Sequence, residues 1–400
     1  MTSERIAVVG AGIIGLAVAR QLGQARLDVE VTVIDKESTV GAHQTSHNSG
    51  VVHAGVYYAP DSLKAILCRR GSVLLREYCA DRGIAFDECG KLVIAANDSE
   101  IEALNRIHDR AERNNVAGLR RVVHEEIREI EPHAVGVAGL YSPHTAITDY
   151  SAIARAFAED VLSAGGHLSL GKSVGAVVSR PNGVAVRVGE DELVFDRVVI
   201  CAGLQSDVVA KQAGDGAEPA IIPFRGEYYR LVPSKIELVR GLIYPVPDPN
   251  YPFLGVHFTR RIDGGVDVGP NAVLALAREG YLRRDISARD LWETLSWPGF
   301  HRLARKHWKM GISEMIGSVS KHQFLNRARV YVPELRDADV VRGGSGVRAQ
   351  AVDRDGTLVE DFRIHRMGNV LAVRNAPSPG ATSSLAIAEH ICDELFETQN

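Results

Sequence analysis

Ile6-Ala7-Val8-Val9-Gly10-Ala11-Gly12-Ile13-Ile14-Gly15 is the stretch on which the fold of this chain turns. Its first four residues are a short apolar run of the kind that makes a buried parallel strand, and they run straight into a G-x-G-x-x-G motif. Gly10 permits a tight turn, Gly12 lets the backbone approach a pyrophosphate, and Gly15 lets the next helix pack close to the sheet. That helix, expected over Ile13 to Leu22, aims its free N–H groups, Ile14 among them, and its positive dipole end at phosphates. A second apolar strand, Val31 to Ile34, ends in Asp35, about 20 residues past the last glycine, where a carboxylate accepts hydrogen bonds from ribose hydroxyls. Strand, helix, strand and acid together predict a dinucleotide-binding βαβ unit, whereas the glycines alone would also suit a turn that serves only packing.

This unit fits FAD and NAD equally, and the rest of the chain separates them. After Asp35 and Lys36 comes a polar, glycine-bearing loop, and nucleotide-domain signals return only far downstream. Val198-Val199-Ile200-Cys201-Ala202-Gly203 is another buried strand ending in small residues, and Pro379-Gly380-Ala381-Thr382-Ser383-Ser384 opens a helix over Leu385 to Leu395. The free N–H groups of that helix suit flavin ring oxygens.

At 400 residues and 45% hydrophobic the chain buries a large core, and its length suggests roughly two domains. A formal net charge of -4 gives no reason to expect nucleic acid as a partner. The five cysteines make no C-x-x-C pair and no zinc or cluster spacing, which fits a reducing compartment and predicts no metal. The chain enters its first strand at once, leaving no room for a signal or transit segment, and no apolar run reaches the ~18 residues that cross a bilayer.

The segment His43-Gln44-Thr45-Ser46-His47-Asn48-Ser49-Gly50-Val51-Val52-His53-Ala54-Gly55-Val56-Tyr57-Tyr58, with Cys89-Gly90-Lys91-Leu92, closely resembles the L-2-hydroxyglutarate dehydrogenase/oxidase family of D-amino-acid-oxidase-like (DAO) flavoproteins. The resemblance continues through 223–229, 253–259, 269–275, 346–351 and 375–379. It implies an α/β chain with a Rossmann-like FAD-binding domain and an antiparallel-sheet substrate domain. It further implies oxidation of L-2-hydroxyglutarate to 2-oxoglutarate by hydride transfer from C2 to flavin N5, with a quinone or oxygen as final acceptor. Eukaryotic members carry a presequence that is missing here, so the expected setting is bacterial and cytoplasmic. The alternatives on the same scaffold are oxidation of another 2-hydroxy acid, of glycerol 3-phosphate, or of an amino acid such as glycine or sarcosine. A non-catalytic flavin-binding redox module is the reading of another class.

The reaction needs a base near neutral pH, and histidine is the simplest. His257 lies in Leu254-Gly255-Val256-His257-Phe258-Thr259, where strand alternation sets His257 and Thr259 on one face and Val256 and Phe258 on the other. The plainer reading is a half-buried histidine satisfied by a backbone carbonyl. His53, between Gly50 and Gly55, is the second candidate, with an orienting loop histidine as its plain reading. A five-carbon dicarboxylate asks for cations or hydroxyls at both ends. Arg348, between Gly346 and Ala349, is the first choice, followed by Lys91, Arg225, Tyr228 and Tyr229. The cofactor set is Gly10, Gly12, Ile14, Gly15, Asp35, Lys36, Thr45, Ser46, Asn48, Ser49, Gly50, Val174, Ala202, Gly203, Arg348, Gly380, Ala381, Thr382 and Ser383. His43 and His47 have the i, i+4 spacing of a metal pair but no third ligand in the sequence pattern, and hydrogen bonding from Thr45, Ser46, Asn48 and Ser49 is the stronger reading of that loop.

The FAD domain is expected from 1–88, 145–215 and 338–400, and the substrate domain from 89–144 and 216–337. Lys91 to Ala96 reads as a strand, Glu100 to Asn114 as an amphipathic helix, and Ile221 to Val232 and Phe253 to Val268 as antiparallel strands with a turn at Asp263-Gly264-Gly265. Residues 301–329 mix Arg302, Arg305, Lys306, Lys309, Lys321, Arg327 and Arg329 with Leu303, Trp308, Met310, Ile312, Met315 and Ile316. That mixture suits either a basic solvated helix face or a peripheral contact with anionic lipid at the inner face of the cytoplasmic membrane.

Overall fold

The apolar run that opens the chain becomes the Glu4–Val9 strand, with Val29–Ile34 on one side and Arg197–Ile200 on the other, all parallel. The computed structural model describes residues 3–26, 28–248 and 253–397. Its first sheet has six strands, in the order Arg363–Met367, Val370–Asn375, Arg197–Ile200, Glu4–Val9, Val29–Ile34 and His167–Ser169, and only the first of these edges is antiparallel. Ile6 and Val8 face one apolar cluster while Ala7 and Val9 face another. Burial on both faces is why this strand reads as a continuous apolar run rather than an alternating one. The helices Ile13–Ala25, Tyr150–Ser163 and Ser384–Phe396 cover the first face. A small antiparallel sheet, 174–195, and the helix Ser206–Gln212 cover the second.

The second sheet runs Val273–Leu274, Ala220–Leu231, Val266–Gly269, His257–Arg260, Leu242–Pro245, Lys91–Ala95, Ala138–Ser142, Arg120–Val123, and Val340–Val352 also pairs with Ala220–Leu231. The turn at Asp263-Gly264-Gly265 forms as expected, with Gly264 at φ +82°, a conformation that suits glycine. Two expectations shift. Regular strand begins only at His257 rather than at Phe253, and it breaks at the turn before resuming at Val266. The segment expected to return to the nucleotide domain at 338 instead pairs from Val340↔Leu231 to Val352↔Ala220, so the first sheet resumes at Arg363. Alternation along a strand says which face is buried but not which sheet the strand joins.

Candidate active site

The helix Ile13–Ala25 starts at Gly12, whose own side caps nothing, and its first turn carries no acid. The Ile13 N–H donates to the Thr45 hydroxyl at 3.0 Å, and a Cβ built on Gly12 would meet only that hydroxyl, 3.6 Å away. The opening in front of this helix end is therefore kept by glycine and lined by a hydroxyl, which suits an anionic pyrophosphate. Gly10 and Gly15 serve packing instead. A Cβ on Gly10 would lie 2.3 Å from the Cys201 carbonyl oxygen, and one on Gly15 would lie 1.9 Å from that of Gly10. Asp35 ends its strand as expected. Its carboxylate accepts from the Ala11 N–H at 2.6 Å and the Glu37 N–H at 2.8 Å, and its lone pairs leave room for more.

The loop after it is folded largely by its own side chains. Asn48 donates to the Thr45 carbonyl at 2.6 Å and accepts from the Gly50 N–H at 2.8 Å, while the exposed Ser46 hydroxyl turns back to Ala42 and His43. Lys36 does not point into this opening; it pairs with Glu279 at 2.8 Å and with Glu37 at 2.5 Å, and His43 joins them, so that cluster is held by its own charges. Gly203, at φ +51°, turns the strand end toward Gln44 beside the half-buried Ala202, and Val174 begins the strand two residues past Lys172, whose N–H meets the Asp35 carbonyl.

At the other end of the cofactor path, Gly380 and Ala381 lead into the Ser384–Phe396 helix, whose Ser383 end has no side-chain cap and no acid in its first turn. The Thr382 hydroxyl accepts from the His53 N–H at 3.1 Å and meets the Tyr150 hydroxyl at 3.0 Å. The Ser383 and Ser384 hydroxyls are buried with no hydrogen-bond partner among the described residues. Buried donors without partners are costly, so a polar group bound at this helix end fits them.

Register explains how the remaining candidates meet. Leu242 pairs with Lys91 and with Thr259, so Lys91, Leu242, Tyr244, His257 and Thr259 share one face of the second sheet. Phe224 pairs with Arg348 on that face as well. The opposite face carries Leu92, Ile243, Val256, Phe258, Val268 and Tyr229 into an apolar core, so the split of His257 and Thr259 from Val256 and Phe258 is as expected. Arg225 falls on the other side of its strand and is engaged there, with Glu227 at 3.1 Å and the Leu282 carbonyl at 3.2 Å. It does not join the set, and Tyr229 packs on Phe324.

The shared face is cationic. Lys91, 1% exposed, stands 4.7 Å from the Tyr244 ring centroid and 5.1 Å from that of Tyr57, and no described carboxylate pairs with it. Burial lowers its pKa to about 8. Arg348 lies 5.5 Å over Phe253 and donates to the Asn271 carbonyl at 3.3 Å, again without an ion pair to a described residue. Burial lowers its pKa too, against the pull of Tyr228 and Glu314. The His257 ring packs 4.0 Å from that of Tyr244 with the planes tilted by 33°, and its Nδ1 lies 2.8 Å from the Gly255 carbonyl. Burial first, then Arg348 and Lys91, bring its pKa down to about 3. His53 is lowered as well, by burial and then by Lys91 and His257. Sequence reading missed Tyr244, Thr382's partner Tyr150 and the buried, unpartnered hydroxyl of Tyr57, because a tyrosine in an apolar run looks like core until register places it.

Comparison with known proteins gives this geometry its family. The model of the DAO family, "FAD dependent oxidoreductase", matches residues 5–394. A protein of Indibacter alkaliphilus named L-2-hydroxyglutarate dehydrogenase is 42% identical over 97% of this chain and 98% of its own length. The human mitochondrial protein of that name is 43% identical over 98% of this chain and 89% of its own, and that of Escherichia coli is 41% identical over 97% and 92%. Among solved structures, an FAD-bound L-alpha-glycerophosphate oxidase of Mycoplasma pneumoniae superposes with a TM-score of 0.80 at 20% identity, over 100% of this chain and 96% of its own, a likeness of fold alone. A match across almost every residue, together with a glycine-kept helix end and a second helix end of unpartnered hydroxyls, shows that this chain belongs to the DAO family of FAD-dependent oxidoreductases, with FAD as its cofactor.

Proposed function

We propose that this protein oxidises L-2-hydroxyglutarate to 2-oxoglutarate. The observation that carries the reading is the one sheet face on which two cations without carboxylate partners among the described residues, the buried Lys91 and the half-buried Arg348, both bear on a neutral histidine. Buried unpaired cations are costly, and a ligand with a carboxylate at each end relieves both. The relatives that match nearly the whole chain at 41% to 44% identity carry the name of this activity.

In this reading Arg348 grips one carboxylate and Lys91 the other, with Tyr228 and Tyr57 offering hydroxyls. His257 holds its ring proton on Nδ1 against Gly255, so Nε2 is free to take the proton of the C2 hydroxyl. The substrate's negative charge offsets the two cations that depress His257, so binding raises its basicity at the moment it is needed. FAD, when bound, supplies the acceptor for the C2 hydride. Its pyrophosphate is assigned to Gly12, Ile14 and Thr45, its ribose to Asp35, and its ring to Gly50, His53 and the 380–383 turn. The electrons pass on to a quinone or to oxygen, in the cytoplasm. Among the described residues no helix is long and apolar enough to cross a membrane.

Anaerobic mixing with L-2-hydroxyglutarate, its D-enantiomer, glycerol 3-phosphate, glycine and sarcosine tests this. Bleaching of the oxidised flavin by the L-enantiomer alone is expected; bleaching by another of these with none from L-2-hydroxyglutarate overturns it.

A further inference from the structure

Lys91 opens the Lys91–Ala95 strand, every residue of which is buried, and no described carboxylate pairs with it. Its surroundings are aromatic instead. Tyr244, two residues past the Leu242 that pairs with Lys91, sets its ring centroid 4.7 Å from the Nζ atom, and Tyr57, in the stretch that follows His53, brings a second ring to 5.1 Å. Both lie inside the ~6 Å at which a ring face attracts an ammonium group. Burial raises the pKa of each phenol, so neither ring becomes a phenolate counter-charge.

The other titratable groups that face Lys91 supply no counter-charge either. The Cys68 thiol, from the Leu63–Arg82 helix, and the Cys89 thiol, just before the strand, are both pushed up to about 12 by burial. His53 and His257 are lowered, by burial first, and Lys91 adds to the effect on each. A carboxylate in the place of either ring would neutralise the lysine permanently and compete with an incoming anion. A ring face stabilises the ammonium group without cancelling its charge. Tyr244 also touches the proposed base, its ring centroid 4.0 Å from that of His257.

We propose that Tyr57 and Tyr244 form an aromatic cage that keeps Lys91 protonated before substrate binds, so that the pocket meets its substrate with a full, unpaired charge. Both are positioning residues that act through Lys91. The kinetic consequence rests on the assignment of a substrate carboxylate to Lys91, whereas the cage itself is a property of the substrate-free protein. In Tyr57 the ring and the hydroxyl have separate duties. The ring holds Lys91, and the hydroxyl, buried with no partner among the described residues, is left for the carboxylate.

NMR titration of the substrate-free holoenzyme, isotopically labelled at the lysine Cε carbons, tests the cage, with the Lys91 signal assigned by its loss in Lys91→Arg. Tyr57→Leu and Tyr244→Leu are each expected to lower the midpoint of that signal by about 1 pH unit, and Tyr57→Phe and Tyr244→Phe to keep it, because phenylalanine retains the ring face. Where a leucine variant does not retain FAD, the methionine variant at the same position is titrated in its place. The alkaline fall of kcat/KM for L-2-hydroxyglutarate should move with the midpoint. Tyr57→Phe should instead raise KM by ~10-fold at an unmoved midpoint, through loss of the hydroxyl. Leucine variants whose Lys91 midpoint stays at the wild-type value overturn the cage, as do phenylalanine variants that lower it as far as leucine does. A midpoint that shifts as expected, in a protein whose flavin L-2-hydroxyglutarate does not bleach, upholds the cage and overturns the substrate assignment alone.

Discussion

The Nδ1 atom of His257 stands 2.8 Å from the carbonyl oxygen of Gly255, two residues earlier in the chain. A carbonyl only accepts, so the ring proton belongs on Nδ1 and the lone pair of Nε2 is left to the pocket. His257→Gln keeps the size but loses the base, and flavin reduction by L-2-hydroxyglutarate should slow ~10²- to 10⁴-fold with FAD content unchanged. Anaerobic stopped-flow absorbance measures this. An unchanged rate would pass the role to His53.

The pH profile of kcat/KM should be lopsided. With its free-enzyme pKa at about 3, His257 is already neutral from mildly acidic pH upward, so no loss of rate is expected between pH 5 and 7 from this group. Lys91 is charged only below its pKa of about 8, so kcat/KM should fall as pH rises through that value. Lys91→Arg should move the alkaline fall out of the measurable range. A profile that falls on the acid side near 6.5 instead would contradict the assignment.

Two cations imply two carboxylates. Lys91→Met or Arg348→Met each removes a charge-assisted contact worth ~1.5–3 kcal/mol, so the dissociation constant for L-2-hydroxyglutarate should rise ~10- to 150-fold while the flavin spectrum stays intact. The monocarboxylate L-2-hydroxybutyrate should suffer a comparable handicap with the wild-type protein. Equal affinity for the two acids would remove one cation from the site.

Gly10 and Gly12 should fail in different ways. Gly10, at φ +113° with the Cys201 carbonyl in the way, should not tolerate alanine without loss of fold, visible as a lowered Tm of the apoprotein. Gly12→Ala meets nothing in the chain closer than 3.6 Å, so the apoprotein should melt normally yet hold FAD poorly, seen as a low ratio of flavin to protein absorbance.

A buried ion pair that joins two helices is a point of fragility. Arg278, 3% exposed, reaches Asp207 at 2.7 Å, Glu293 at 3.1 Å and the Leu204 carbonyl at 2.7 Å. Arg278→Met leaves the Asp207 carboxylate, 1% exposed, without its main partner and should cost ~3–5 kcal/mol in denaturant unfolding. A change below 1 kcal/mol would mean that water or Lys211 takes over.

The nucleotide unit was legible because each of its signals is local. Gly10, Gly12, Gly15 and Asp35 lie within one βαβ stretch, and their roles follow from sterics and strand ends. His257 was legible for a similar reason, since alternation alone separates it from Phe258. Arg225 was not. Its neighbour Phe224 shares a face with Arg348 while Arg225 does not, and only the pairing across strands reveals which of two adjacent residues looks into the site. Lys36 misled for another reason: its charge partner Glu279 lies 243 positions away in the chain. The sheet allegiance of 340–352 was hidden likewise, because pairing partners distant in sequence leave no local signature.

The place of the Val370–Asn375 strand has a consequence for how the protein is made. It hydrogen-bonds to Arg197–Ile200, and the Ser384–Phe396 helix behind it packs on the Ile13–Ala25 helix. A ribosome emits the phosphate-binding glycines long before their supporting strand and helix. Until then the growing chain presents Arg197–Ile200 as a bare strand edge, a hazard for mispairing. Capture of the cofactor is thereby deferred until the Val370–Asn375 strand and the Ser384–Phe396 helix have been made and can pack on the early βαβ unit.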